Sequence, residues 1–152
     1  MPITMNEKSK NLELNQLLSP TESYLASAWA SIPNSTPILH SFAYQNSEKH
    51  DKIGSSNIYC YIGLTDKNLN IVTLNSLDVT RVTGRFSIPL EKIAHVAVKK
   101  GILKSSAILD FGNEKIKIFW SNQNAGTDMK DQRKNVKIIC DHLMGIYEIN
   151  ET

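Results

Sequence analysis

The stretch RFSIPLEKIAHVAVKKGILKSSAILDF, residues 85–111, decides the fold of this chain. Apolar and polar residues alternate along it in short runs separated by polar turns, which is typical of strands with one buried face. The preceding segment TDKNLNIVTL, residues 65–74, has the same pattern after a turn rich in Asp and Asn. Residues 58–120 therefore predict a small antiparallel sheet that folds over its own core.

The same alternation predicts seven strands, at residues 36–46, 58–64, 69–74, 79–88, 93–99, 107–111 and 115–120. Gly112-Asn113 marks a compact hairpin between the last two strands. An amphipathic helix over about 129–147 follows, because Val136, Ile139, Cys140, Leu143 and Tyr147 share one face. We expect this helix to cover an open end of the sheet, where strand edges would otherwise meet water.

The residues before the first predicted strand have a different sequence pattern. Residues 1–18 are polar with scattered leucines and predict a flexible arm that becomes helical on contact with another surface. Ser19-Pro20-Thr21-Glu22 has the residues of a helix start, namely a capping serine, a proline at the first position and the glutamate of a capping box. The spacing of Leu25, Ala28, Trp29 and Ile32 then predicts a helix over 19–33, followed by a linker to residue 35. Such a stripe is typical of core packing, but Leu25, Trp29 and Ile32 are also candidates for a partner interface.

Composition limits the class of protein. A chain of 152 residues with a net charge of +2 fits one domain, and this charge alone predicts neither nucleic-acid nor membrane binding. No stretch approaches the roughly 20 apolar residues of a membrane span. The N-terminus is too polar for a secretory signal, so a cytoplasmic location is expected. Cys60 and Cys140 lie far apart, without a CxxC motif, and are expected to be small buried residues.

No motif of catalysis is present in the sequence. It contains no GxSxG, no P-loop and no GxGxxG, and its four histidines have no metal-ligand spacing with each other or with the cysteines. The prediction is a protein that is not an enzyme and that carries no metal and no cofactor. Aromatic residues do not alternate with basic ones as a base-stacking platform requires, so nucleic acid is not the predicted partner.

Charge placement is the feature that points to a binding surface. Residues 79–120 contain eight basic residues and three acidic ones. Arg81 and Arg85 on one strand, near a loop at Lys99, would hold an anion or an acidic patch of a partner. The alternative is a solvated sheet surface whose lysines maintain solubility. The candidate binding residues are Arg81, Arg85, Lys99, Lys100, Ile102, Leu103 and Lys104, where the apolar Ile102 and Leu103 either insert into a membrane or partner groove or fold back on the sheet.

Three motifs resemble those of the bacterial pleckstrin-homology-like (PH-like) domain family. LTDKNL at 64–69 resembles the family's LTDKRL turn, IPLEKI at 88–93 matches its step into the fifth strand, and VKKGIL at 98–103 resembles its VKKGLLGSS loop. The match covers roughly residues 36–147 within a predicted domain at 36–149. It implies a mainly β (α+β) fold, a bent seven-stranded antiparallel sheet or partly open barrel capped by a C-terminal helix. The predicted N-terminal helix is an addition to that pattern.

The resemblance implies fold more than activity. Eukaryotic PH domains often bind phosphoinositides through basic residues of the loop between the first two strands. Here that loop, at 47–56, offers Lys49, His50 and Lys52 diluted by Glu48 and Asp51. The leading hypothesis is therefore a non-enzymatic protein-interaction or assembly module, with a protein partner or a second copy of itself bound in a homo-oligomer. The alternatives are an anionic-lipid or membrane-surface binder and a phage or mobile-element inhibitor of a host complex.

Overall fold

The chain folds into one open, seven-stranded antiparallel sheet with a helix near each end. The computed structural model describes residues 5–33, 36–43, 57–75, 77–122 and 129–151. The strands are β1 Ala26–Pro33, β2 Asn57–Leu64, β3 Asn68–Leu74, β4 Val82–Pro89, β5 His95–Lys100, β6 Lys104–Asp110 and β7 Lys115–Ser121. The helices are α1 Glu7–Asn15 and α2 Gln132–Glu151, with 3-10 segments at Pro37–Phe42 and Leu90–Lys92. The strand order is β4-β3-β2-β1-β7-β6-β5. The predicted fold class is confirmed, since this mainly β architecture is consistent with a PH-like fold.

The core lies on one face of the sheet, beneath α2. Alternate strand residues such as Ile62, Ile71 and Ile118 have no exposed surface, as period-two burial requires. Helix α2 adds Ile139 and Leu143, both fully buried, and contacts β1, β5 and β7. The prediction of a covering C-terminal helix is therefore confirmed, with its start at Gln132 instead of about residue 129.

Residues 26–33 form strand β1, so the helix predicted over 19–33 is wrong. Strand β1 pairs with β2 along its whole length, from Ala26 opposite Leu64 to Pro33 opposite Asn57. Its small core-facing residues are compatible with a period of two as well as with a helical period. Pairing with β2 buries that face and satisfies the backbone, so tertiary structure overrides the local signal. The count of seven strands is right, but β1 supplies the first of them.

The turn chemistry that suggested a helix start does exist. The Ser19 backbone N–H donates to Glu22 Oε1 at 3.3 Å, as in a capping box. The same carboxylate accepts hydrogen bonds from the Thr65 hydroxyl and the Asn68 amide, each at 2.9 Å. Glu22 therefore ties this turn to the β2–β3 hairpin, and an extended segment follows instead of a helix.

The strand predicted at 36–46 is also wrong. Residues Pro37–Phe42 form a 3-10 segment, and Ala43 makes an isolated bridge with Phe86 of β4. Leu39 is buried in the core and Phe42 packs against it, a spacing of three that matches the 3-10 period. Residues 44–46 and the predicted charged loop at 47–56 lie outside the described residues.

The predicted flexible arm contains helix α1, which packs on the outer face of the sheet. The Asn6 side chain caps this helix by accepting from the Ser9 backbone N–H at 2.8 Å. Leu14 is 1% exposed and packs in a second apolar cluster with Tyr61 and Val72. Tyr61 of β2 and Val72 of β3 are thus buried on the outer face as well, and Leu14 and Leu17 of the arm are among the residues that cover them. Residues 1–4 of the arm lie outside the described residues.

Two of the PH-like motifs form connections between neighbouring strands. In the first motif, the Thr65 hydroxyl accepts hydrogen bonds from the backbone N–H groups of Lys67 and Asn68, at 3.1 and 2.9 Å, and so closes the β2–β3 turn. The second motif ends β4 at Pro89 and enters a 3-10 turn whose Leu90 N–H donates to the Lys67 carbonyl at 2.8 Å. These contacts hold the strands in register.

Candidate functional site

The outer face of the sheet divides into a covered half and a bare half. On β2 and β3, Tyr61 and Val72 lie beneath α1 and are buried. On β5, β6 and β7, residues on the same outer side are half-buried or exposed. The chain therefore covers one half of this surface with its own N-terminal segment and leaves the other half open to solvent.

The bare half, which we call the basic sheet face, is formed by Lys99, Lys104, Lys115, Lys117 and Phe119. All four lysines are exposed. They face the same side because strand residues alternate, with Ile116, Ile118 and Trp120 of β7 turned to the core. Along residues 95–121, all of which the structure describes, Asp110 is the only acid that the three strands place on this face.

Aromatic side chains lie at one side of the basic sheet face. Ser31 of β1 pairs with Tyr59 on one side and Phe119 on the other, and these rings are 42% and 39% exposed. Trp29 meets Tyr59 edge-on, with ring centroids 6.0 Å apart. These residues line an open groove of about 300 Å³ whose walls also include Asn57, Lys104 and Trp120. The small side chain of Ser31 leaves the space between the rings open.

A second exposed feature is the loop between β5 and β6, which carries Ile102 and Leu103 at what we call the β5–β6 tip. These side chains are 78% and 58% exposed, so they do not fold back on the sheet. Asn122 holds the loop, because its side-chain amide donates to the carbonyls of Gly101 at 2.7 Å and Ile102 at 3.2 Å. Its backbone N–H donates to the Leu103 carbonyl at 2.9 Å. The Arg133 guanidinium adds a further bond to the Ile102 carbonyl at 2.9 Å.

Basic residues surround this tip. Lys99 and Lys104 are exposed on its two strands, and Arg133, Lys134 and Lys137 are exposed on the first turns of α2. Of the acids beside them, Asp141 is paired with Lys100 at 2.6 Å and with Lys137 at 3.1 Å. Hydrogen bonds from Lys100 and Lys137 lower the pKa of the Asp141 carboxyl, so it stays charged and offsets those two ammonium groups. Asp131, a further acid near this surface among the described residues, is exposed.

The predicted basic residues are distributed over β4, β5, β6 and the segment before β4. Arg85 lies on the outer face of β4, where it pairs with Glu13 of α1 at 2.8 Å and so holds the helix to the sheet. Arg81 is exposed just before β4, and its backbone carbonyl accepts from the Asn75 N–H at 2.9 Å. Lys99, Lys100 and Lys104 belong to β5 and β6, at the other end of the strand order. The joint action of Arg81 and Arg85 with the 99–104 loop stays a prediction, and Arg85 is already paired with Glu13.

The predicted interface residues also separate. Ile32 is fully buried in the core and Leu25 is 46% exposed, so the two share no surface. Ile32 as an interface residue is wrong, because strand alternation turns it to the core. Trp29 is half-buried at the groove, and its indole N–H has no acceptor among the described residues.

Four residues of the basic sheet face and its groove were not among the candidates from the sequence: Tyr59, Lys115, Lys117 and Phe119. The signal that predicts the last three is the alternation KIKIFW at 115–120, which puts both lysines and the phenylalanine on one face. Basic and aromatic residues therefore do share a surface, contrary to the expectation from their order along the chain. No comparable sequence pattern identifies Tyr59, because its position near Phe119 depends on how β1 joins β2 to β7.

The described residues form no arrangement that resembles a metal or thiol centre. Within residues 5–33, 36–43, 57–75, 77–122 and 129–151, no group of three His, Cys, Asp or Glu side chains could hold a metal ion. Cys60 and Cys140 are free and buried, as predicted, and burial raises the pKa of the Cys140 thiol to about 11. The side chain of His40 and all of His50 lie outside the described residues.

No family model matches this chain, and no curated protein matches it. Among solved structures, it is similar to the hSac2 domain from the human phosphoinositide phosphatase Sac2. That match has a TM-score of 0.49 and 10% sequence identity, and it covers 93% of this chain and 83% of that one. Among the described residues, no helix has the length and apolar character needed to span a membrane.

Proposed function

We propose that this chain is a non-enzymatic protein-interaction module on a PH-like scaffold, which binds an acidic surface of a partner through the basic sheet face. The observation that carries the proposal is the asymmetry of the sheet. One half of its outer face is covered by α1, and the bare half has four exposed lysines, one exposed phenylalanine and one acid along residues 95–121.

The two kinds of residue make different contributions to binding. Exposed lysine–carboxylate pairs contribute only about 0.2–1 kcal/mol each, so the four lysines mainly guide the approach of an acidic partner. Aromatic residues dominate interface energetics, with losses of about 2 kcal/mol or more on truncation. We therefore assign most of the affinity to Phe119 and Tyr59, which flank the groove and are accessible to an apolar side chain of the partner.

Charge also argues against a second copy packed face to face. Two copies joined through this surface would bring the same lysines together, and like charges across an interface are unfavourable. An acidic partner chain is the complementary occupant. On the covered half, Arg85 is already paired with Glu13.

A titration with a defined probe tests this proposal. We expect a glutamate-rich peptide containing one tryptophan to shift amide resonances of β5, β6, β7 and Tyr59 in the isotopically labelled protein. Reversing two charges on the face, in K115E/K117E, should weaken binding by about tenfold or more. Phe119→Ala should weaken it by a similar factor.

The matched control is K8E/K67E, which makes the same change in net charge on the covered half of the molecule. Lys8 and Lys67 are both exposed. Equal losses in K115E/K117E and K8E/K67E would mean that the peptide senses net charge only, and would overturn the proposal. Resonance shifts confined to other parts of the sheet would do the same.

A further inference from the structure

The β5–β6 tip has a combination of properties that the basic sheet face does not need. Ile102 and Leu103 are adjacent, largely exposed and apolar, in the three-residue loop between β5 and β6. Exposed single apolar residues are ordinary on protein surfaces, but an apolar pair at a loop tip ringed by basic residues is a feature of surfaces that contact membranes.

The three carbonyl groups of the tip are hydrogen-bonded within the protein. The carbonyl groups of Gly101, Ile102 and Leu103 accept hydrogen bonds from Asn122, at 2.7, 3.2 and 2.9 Å respectively, and Ile102 also accepts from Arg133. A loop that leaves water for the acyl region of a bilayer must have its carbonyls paired internally, because hydrocarbon offers no donors. A protein groove could supply donors of its own, so this internal pairing favours a bilayer.

The charges around the tip have the sign that such a surface requires. Exposed Lys99, Lys104, Arg133 and Lys134 flank it on both sides, while Asp141 is neutralised by two lysines. Basic residues at the edge of an inserting apolar group are attracted to the negative surface of a membrane that contains anionic lipids. Long lysine and arginine side chains also reach headgroups while their apolar stems stay near the interface.

We propose that the β5–β6 tip inserts Ile102 and Leu103 into the interface of an anionic lipid bilayer, with Lys99, Lys104, Arg133 and Lys134 at the headgroups. This function goes beyond binding of an acidic protein. Together, the two surfaces would hold an acidic partner at a membrane. Arg81 and Arg85 take no part, since Arg85 is engaged by α1.

Vesicle binding by matched variants tests the proposal. The full chain should co-sediment with vesicles of phosphatidylcholine containing about 30% phosphatidylserine, and binding should fall at least tenfold when salt is raised from about 0.05 M to about 0.5 M. The substitutions I102D/L103D should weaken vesicle binding by about tenfold or more. Leu77→Asp is the control, because Leu77 is 96% exposed in a different loop, and this variant should bind as the wild type does.

A spectroscopic probe separates insertion from simple charge attraction. Cys60 and Cys140 are fully buried, so an environment-sensitive dye on I102C labels the tip alone, and a dye on L77C labels the control position. We expect a blue shift on vesicle binding for the dye at position 102 and none for the dye at position 77. Binding without a blue shift at 102 would assign the contact to lysines alone and overturn insertion.

Other outcomes also count against this inference. Absence of binding to phosphatidylserine vesicles, or equal binding by wild type and I102D/L103D, would overturn it. So would a loss of glutamate-rich peptide binding in I102D/L103D with vesicle binding unchanged, because the tip would then belong to the protein site. The proposal for the basic sheet face is tested separately, by the binding of the glutamate-rich peptide to K115E/K117E.

Discussion

At the scale of single residues, Gln132 closes a gap that the strands leave open. Between β1 and β7 the described strands register at one pair, Ser31 with Phe119. Beyond that pair, the Gln132 side chain accepts from the Trp29 N–H at 3.2 Å and donates to the carbonyls of Trp29 at 2.9 Å and Ser121 at 3.0 Å. One buried amide thus replaces the missing strand ladder, because unpaired backbone groups are costly away from water.

Substitution of Gln132 by Leu should therefore destabilise the protein. Gln132 is 1% exposed, and its loss would remove the three hydrogen bonds that it makes to the backbone of Trp29 and Ser121. We expect the free energy of unfolding to fall by about 2–3 kcal/mol in urea titrations. Lys134→Ala, on an exposed position of the same helix, is the control and should change stability by less than about 0.5 kcal/mol. A neutral Q132L would show that this amide is not needed at the gap.

Glu22 gives the protein a dependence on acid pH. Burial raises the pKa of this carboxyl, but hydrogen bonds from Asn68, Thr65 and Ser19 together lower it below 4.5. A pKa that is lower in the folded state contributes stability above the unfolded value, and this contribution is lost as pH falls through the folded value.

We expect E22Q to be less stable than the wild type at neutral pH, by about 1 kcal/mol. The difference should shrink steadily below about pH 4.5 as the wild-type carboxyl takes up its proton. Thermal unfolding of both proteins from about pH 7 to about pH 3 measures this. Parallel curves over the whole range would contradict the assignment of the acid sensitivity to Glu22.

At the scale of elements, helix α1 and strand β3 depend on one another. Val72 and Leu74 of β3 are buried on the face away from the main core, where Leu14 packs against them. Tyr24 reinforces the contact from the next turn, since its hydroxyl donates to the Leu14 carbonyl and its ring lies over Gly63. A methyl group at Gly63 would lie 2.4 Å from that ring, so only glycine permits this approach.

Two leucines of α1 make a matched test of this packing. Leu14 is 1% exposed and Leu12 is 60% exposed on the same helix. Leu14→Ala should cost about 2–4 kcal/mol of unfolding free energy, because it removes a buried side chain and leaves a cavity. Leu12→Ala should cost less than about 0.5 kcal/mol. Similar small effects for both variants, measured by urea titration, would mean that α1 does not stay on the sheet.

At the scale of the whole molecule, the bare half of the sheet carries two separable surfaces, the basic sheet face and the β5–β6 tip. The basic sheet face lies on the strands, and the tip lies at the end of the β5–β6 hairpin. Of the residues proposed to act at the tip, Lys99 and Lys104 also belong to the face, whereas Lys115, Lys117 and Phe119 belong to the face alone.

The two surfaces should therefore respond to different substitutions. We expect K115E/K117E to lose peptide binding but to keep vesicle binding within about threefold. The reason is that Lys115 and Lys117 pair with the end of β6 that is remote from the tip. We expect I102D/L103D to lose vesicle binding but to keep peptide binding. Binding of the peptide and of the vesicles is measured for both variants, and each variant should lose only one of the two ligands. Loss of both ligands by both variants would mean that the two surfaces act as one non-specific basic patch.

Local pattern was sufficient to predict strands β2 to β7, helix α2 and the turn at Gly112, because period-two alternation and turn residues act over a few positions. The Ile102–Leu103 tip was also identified from sequence as apolar residues in a loop. The structure of the N-terminal third was not predicted, because Ala26, Ala28 and Ala30 suit a strand as well as a helix. Pairing with β2 determines that this segment is a strand. The engagement of Arg85 by Glu13 was hidden for a related reason, as the two residues lie 72 positions apart.

By itself, the sequence of this protein determined which segments alternate, where they turn and which end is capped by a helix, because those properties depend on near neighbours along the chain. Only the tertiary structure decided which half of the sheet stays bare. That outcome depends on where α1 packs, and α1 packs where Tyr61, Val72 and Leu74 present an apolar surface formed from two strands. A surface assembled from separate strands exists only after they have paired, so no local pattern encodes it.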